Sequence, residues 1–160
     1  MSFEVERKFL VNAPPERILK VSPPLRILLI EQRYLSRTGD WTVRVRKTIC
    51  EQSLAHHLTM KQRINDLRCV ELETEISDLF YATISHQGGV PLLKTRYEID
   101  THGHLWELDV FSHPKLDGLV LAEIELQNED TPFDKPEWLG PEVTNDKYYK
   151  NNRIAKRLEL

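Results

Sequence analysis

The first eleven residues, MSFEVERKFLV, carry the pattern that most limits this chain's fold: Glu4, Glu6 and Lys8 occupy every second position. A strand turns successive side chains to opposite faces, so two carboxylates and an ammonium share one face here. The same alternation returns along the chain as Arg44 and Arg46, then Lys61 and Arg63, then Glu71, Glu73 and Glu75. It continues as Lys94, Arg96 and Glu98, then Glu107 and Asp109, then Glu123 and Glu125. Apolar side chains such as Val5, Val45, Leu72, Leu108 and Ile124 take the opposite face.

The alternation predicts strands over 3–11, 31–37, 41–49, 56–64, 69–77, 91–100, 105–112 and 118–128. Turns are expected at Thr38-Gly39-Asp40 and at His102-Gly103-His104. A short helix over 14–20 begins with proline, tolerated in a first helical turn, and a second over 78–87 takes Ser77 or Asp78 as its cap and stops at Gly88-Gly89. From about Pro132 the tail reads as short helical turns ending in a basic helix. Eight strands with mostly local connections imply an antiparallel sheet, and a sheet of that width tends to close. The expected fold is α+β: an eight-stranded antiparallel β-barrel with flanking helices, in one domain over 1–160, since 160 residues supply one core.

A merely solvated face would draw on Ser, Thr, Asn and Gln as well; these positions are almost purely charged, and the signs segregate by strand. If the face closes inward it becomes a tunnel of cations and carboxylates that could not bear its desolvation without ligands. Arginine and lysine clamp phosphate oxygens, and paired carboxylates bind hard cations such as Mg²⁺ or Mn²⁺, which bridge phosphates. A metal-bound polyphosphate satisfies both sets.

Composition narrows the partners. The formal net charge of −3 comes from 22 bases against 25 acids, without the single dominant sign of a nucleic-acid binder. Cys50 and Cys69 are too few for a disulfide framework and lack zinc-site spacing. The longest apolar run, Ile27 to Ile30, is cut by Glu31, so no membrane span is expected, and the acidic N-terminus is unlike a signal peptide. The expected location is the cytoplasm. His56 and His57 are neighbours on opposite strand faces, which offers no zinc site.

The ordered pieces Glu4-x-Glu6-x-Lys8, Arg44-x-Arg46, Lys61, Lys94-x-Arg96, Glu107-x-Asp109 and Glu123-x-Glu125, with the strings QRYL, LKTRYE, ELDVF and VTNDKYYKN, resemble the CYTH superfamily of triphosphate tunnel metalloenzymes over nearly the whole chain. The match is to the small bacterial members, which are similar to inorganic triphosphatases. The resemblance implies hydrolysis of a triphosphate, foremost tripolyphosphate to pyrophosphate and phosphate. Within the superfamily the alternatives are thiamine-triphosphatase and class IV adenylyl cyclase; outside enzymes, a module that senses polyphosphate or nucleotide. By resemblance, Lys8, Arg44, Arg46, Lys61, Arg96 and Lys147 bind the substrate. Glu4, Glu6, Glu107, Asp109, Glu123 and Glu125 hold Mg²⁺ or Mn²⁺. Lys94 serves as a general base with Tyr34 as its hydrogen-bonding partner, or as one more phosphate ligand. Relatives often carry arginine where this chain has Tyr148, which leaves Lys147 and Lys150 as the nearby cations. The resemblance also leaves room for a homodimer.

Overall fold

The computed structural model describes residues 2–160. Nine strands run in the order β1 (Ser2–Val11), β2 (Arg26–Thr38), β3 (Trp41–Cys50), β4 (Ser53–Arg63), β5 (Arg68–Glu75), β6 (Leu92–Thr101), β7 (His104–Phe111), β8 (Val120–Leu126) and β9 (Leu139–Glu142). Helix α1 (Pro15–Val21) follows β1, α2 (Asp78–Ser85) follows β5, and α3 (Asn151–Leu158) ends the chain. In space the sheet order is β5-β4-β3-β2-β6-β7-β8-β1, and β5 pairs back to β1, which closes an eight-stranded antiparallel barrel. β9 adds to β1 outside the circle.

The closed barrel with flanking helices agrees with the expected fold, and two boundaries differ. β2 begins at Arg26 rather than at residue 31: the run Ile27 to Ile30 carries no alternation of polarity, yet its backbone pairs with Lys94 to Tyr97 and with Thr48 and Ile49. β9 lies in the tail that read as helical turns. Its sequence, LGPE, holds two residues depleted in strands, and it is anchored by the Arg7–Glu142 ion pair at 2.5 Å. Gly140 is required there, because a Cβ at that position would stand 2.8 Å from the Leu10 carbonyl oxygen.

Local chemistry explains the joints. His102 and Gly103 both adopt left-handed φ, 55° and 75°, as a two-residue hairpin turn demands. The Ser77 hydroxyl accepts from the Phe80 amide and caps α2. α2 lies on the outer face of β4, where Tyr81 stacks on buried His56 at 4.3 Å and the His56 Nδ1 stands 3.0 Å from Asp78.

The barrel is apolar on part of its outside and charged within. Val5, Phe9, Ile99, Trp106, Leu108 and Ile124 point outward and are buried under Ile18 of α1 and the segment carrying Phe133 and Trp138. Trp106 meets Phe9, Phe133 and Trp138 edge to face at 5.8, 5.8 and 5.9 Å. With their apolar faces covered, β1, β6, β7 and β8 have only the barrel interior in which to place their alternate, charged residues. Among the described residues no helix is long and apolar enough to cross a membrane.

Candidate active site in the barrel interior

The inward positions enclose a cavity of about 330 Å³ whose wall is almost wholly ionic. Some of its cations are already paired. Arg96 makes a two-pronged contact with Asp109 at 2.7 and 2.8 Å and also contacts Glu107. Lys8, which also lines the cavity, stands 2.8 Å from Glu123, while Lys94, fully enclosed and outside the lining, donates to the same Asp109 carboxylate. Lys61 holds Glu4 at 2.8 Å and Glu71 at 3.1 Å.

Two arginines are not paired in this way. Arg44 approaches Glu71 only at 3.9 Å, and Arg46 has one contact, from Nη2 to the Gln32 side-chain oxygen at 3.5 Å. The Nε atoms of both are buried and find no hydrogen-bond partner among the described residues. Burial, aggravated by Arg44 and Arg96, pulls the Arg46 guanidinium down to about 10, an unusual position for a group that ordinarily stays charged. Arg44 keeps its charge against burial because Tyr34, Glu71 and Glu73 raise it, whereas Arg46 has no carboxylate within bonding distance among the described residues.

The acids divide similarly. Asp109 stays well ionised against its burial because Arg96 and Lys94 bind it, and Glu123 is held low by Lys8, Lys94 and Arg96 against the same opposition. Glu107 is different: burial lifts its carboxyl to about 7, and Glu123 and Asp109 add to the lift while Arg96 opposes it. Glu125 is also raised, first by burial and then by Glu4 and Glu6. Negative charge is thus in excess around Glu4, Glu6 and Glu125 and again around Glu107, and a hard cation would relieve it. Among the described residues no group of three such side chains converges as a ready metal cage.

Asp109, expected as a metal ligand, accepts from Arg96 on both oxygens and from Lys94 on Oδ2. Lys94 was expected to bond Tyr34. Its hydrogen bond goes to Asp109, while the Tyr34 hydroxyl accepts from Gln32 Nε2 at 3.3 Å and lies beside the Arg44 guanidinium. Burial and the neighbouring Arg96 still bring the Lys94 ammonium down to about 8, because Arg96 shares the carboxylate that would otherwise steady it.

Lys147 lies in a single 3-10 turn, Lys147–Tyr149, and lines the cavity with Lys150. Tyr148 faces away, its ring under the Arg157 guanidinium at 3.6 Å. Of the alternating charges, Arg63 turns to Asp40 at 2.8 Å beside the cavity opening, and Glu98 pairs with Arg26 at 2.6 and 2.9 Å. Residues absent from the expected site also line it. Glu71 and Glu73 belong to the legible alternation. Gln32 and Thr59 are not part of the lining; fully buried at inward positions, they carry no charge by which a sequence pattern would mark them.

No family model matches the chain. It is 33% identical over 158 residues to the inorganic triphosphatase of Acetivibrio thermocellus, covering 98% of this chain and 95% of that one. It is 35% identical over 156 residues to the inorganic triphosphatase of Nitrosomonas europaea, at 95% and 96% coverage. The chain belongs to the inorganic triphosphatase family. A crystal structure of an inorganic triphosphatase superposes with a TM-score of 0.66 at 33% identity, covering 97% of this chain and 95% of the other. The PH1819 protein of Pyrococcus horikoshii, at 20% identity and a TM-score of 0.59, shares the fold. The closed barrel described above is the fold shared with both structures.

Proposed function

We propose that this protein cleaves inorganic tripolyphosphate to pyrophosphate and phosphate inside the barrel, with Mg²⁺ or Mn²⁺ as the metal. One observation carries the reading: Arg44 and Arg46, partly buried and mutually repelling, carry buried Nε donors without partners beside a cavity rich in carboxylate. A polyanion with its metal neutralises both walls at once, whereas a simple anion leaves the acids uncompensated. The names of the relatives point to the same substrate.

In this reading Arg44, Arg46, Lys61, Lys8 and Arg96 grip phosphoryl oxygens and offset charge on the departing pyrophosphate, with Lys147 at the opening. Glu4, Glu6 and Glu125, with Glu107 and Glu123, are the carboxylates that would hold the metal. A bound divalent ion supplies charge neutralisation along the phosphates and a more acidic water. Asp109 fixes Arg96 and Lys94 in place, and Lys94 stands within the cation cluster as a base or a phosphate ligand. A reducing compartment such as the cytoplasm fits the two free thiols, Cys50 and Cys69.

The test incubates purified protein with tripolyphosphate, ATP or thiamine triphosphate in Mg²⁺, Mn²⁺ or EDTA, and follows phosphate and cyclic AMP. Metal-dependent phosphate, fastest from tripolyphosphate, is expected. No metal-dependent product from any of the three overturns the enzyme reading, and cyclic AMP from ATP replaces it with the cyclase.

A further inference from the structure

We infer that Gln32 is a positioning residue of this site: through its one side chain it aims both Arg46 and the Tyr34 hydroxyl at the substrate. The inference rests on the tripolyphosphatase reading above. Gln32 lies mid-strand on β2 at an inward position and is wholly buried, with Arg46 of β3 and Leu92 of β6 as its cross-strand neighbours. A buried primary amide carries two donors and an acceptor that must find partners, so glutamine survives at such a point only with a defined use.

The two hydrogen bonds fix the amide's orientation. Arg46 Nη2 can only donate, so the group facing it at 3.5 Å is the Gln32 oxygen. The Gln32 nitrogen then faces the Tyr34 oxygen at 3.3 Å, and it too can only donate. Arg44, a second pure donor, borders the same phenol. The Tyr34 oxygen is thus an acceptor toward both neighbours, and its own proton is left to donate elsewhere. Tyr34 lines the cavity, so that proton is available to a phosphoryl oxygen. Gln32 therefore makes Tyr34 a donor to substrate, and it holds one edge of Arg46 while leaving Nε free.

Two substitutions separate these effects. In Gln32→Met both bonds are lost at similar volume. In Gln32→Glu the carboxylate still accepts from Arg46 but also accepts the Tyr34 proton, which turns that proton away from substrate. With tripolyphosphate and Mg²⁺, Gln32→Met is expected to raise KM and to lower kcat by about tenfold or more, the loss of one aimed donor. Gln32→Glu sets a carboxylate against Arg46 and is expected to raise KM further than Gln32→Met does, and, because it also takes the Tyr34 proton, adding Tyr34→Phe to it should cost no further kcat. Equal KM and kcat changes in the two variants, or full multiplication of Gln32→Glu with Tyr34→Phe, overturn the inference. If Gln32→Met fails to fold, the non-additivity of Gln32→Glu with Tyr34→Phe decides alone. Calorimetric binding of tripolyphosphate in EDTA gives a second readout: Gln32→Met should weaken it and Gln32→Glu should weaken it more. A wild-type protein that neither binds nor cleaves tripolyphosphate overturns the functional reading itself, and one that binds without cleaving leaves the binding pattern to judge Gln32.

Discussion

Along four neighbouring strands the inward face changes character partway. β1 runs from Glu6 and Lys8 to Leu10, β6 from Arg96 and Lys94 to Leu92, β7 from Glu107 and Asp109 to Phe111, and β8 from Glu125 and Glu123 to Leu121. One half of the interior is the ionic cavity. The other half is an apolar cluster of Leu92, Phe111, Leu116, Leu121 and Val143, joined by Ile154, Ala155 and Leu158 of α3. The halves share strands and parity but not energetics. The apolar half stabilises the barrel by burial and packing, whereas the ionic half spends stability to hold charges in a poorly solvated space. Tyr34 and Gln32 stand at the boundary, the last polar groups before the apolar fill.

The comparison can be strained most by removing the cation that serves both as wall and as counter-charge. Arg96→Ala leaves Asp109, Glu107 and Glu123 without their shared partner, and a loss of about 3–5 kcal/mol is expected in urea unfolding, with turnover abolished. In the apolar half, Leu121→Ala opens a cavity and should cost about 2–5 kcal/mol, with KM for tripolyphosphate retained at temperatures where the variant is folded. If Leu121→Ala instead raises KM as strongly as an arginine substitution, the two halves are not separable.

The smallest effect lies outside the barrel. The Arg7 hydrogen bonds hold the Glu142 carboxyl below the usual carboxylate value of 4.5, against a modest opposing effect of burial. A folded-state value depressed in this way contributes stability that is present above the unfolded value and is lost as pH falls through the folded one. Glu142→Gln should therefore melt earlier than the parent at pH 7, with the difference shrinking as the pH is lowered below 4.5. A difference that grows on acidification would contradict the assigned role.

The barrel was legible in the sequence because its polar positions are charged at strict alternation: Glu4, Glu6 and Lys8 predict the parity of β1, and Gly39 and Gly103 mark the hairpins. The ionic half showed itself for the same reason. The apolar half did not, since Leu10, Leu92, Phe111 and Leu121 read as ordinary core residues that happen to lie on the charged face. β9 was hidden by its glycine and proline, and the first part of β2 by uniform polarity. Pairing inside the site was invisible as well: the sequence suggested Tyr34 as the partner of Lys94, and only the register, which sets Lys94 opposite Phe111 and Arg96 opposite Asp109, brings the acid to both cations. Gln32 could have been found only by asking why a neutral amide holds an inward position between Ile30 and Tyr34.

The central claim is that Arg46 exists for an anion and not for the fold. Thermal melts of the parent and of Arg46→Met, with and without tripolyphosphate, test it directly. Without ligand the variant should melt no lower than the parent, because a buried cation crowded by Arg44 and Arg96 is replaced by an apolar side chain of similar length. With tripolyphosphate the parent's midpoint should rise and the variant's should hardly move. A variant that melts lower without ligand and keeps the full rise with it would contradict the claim.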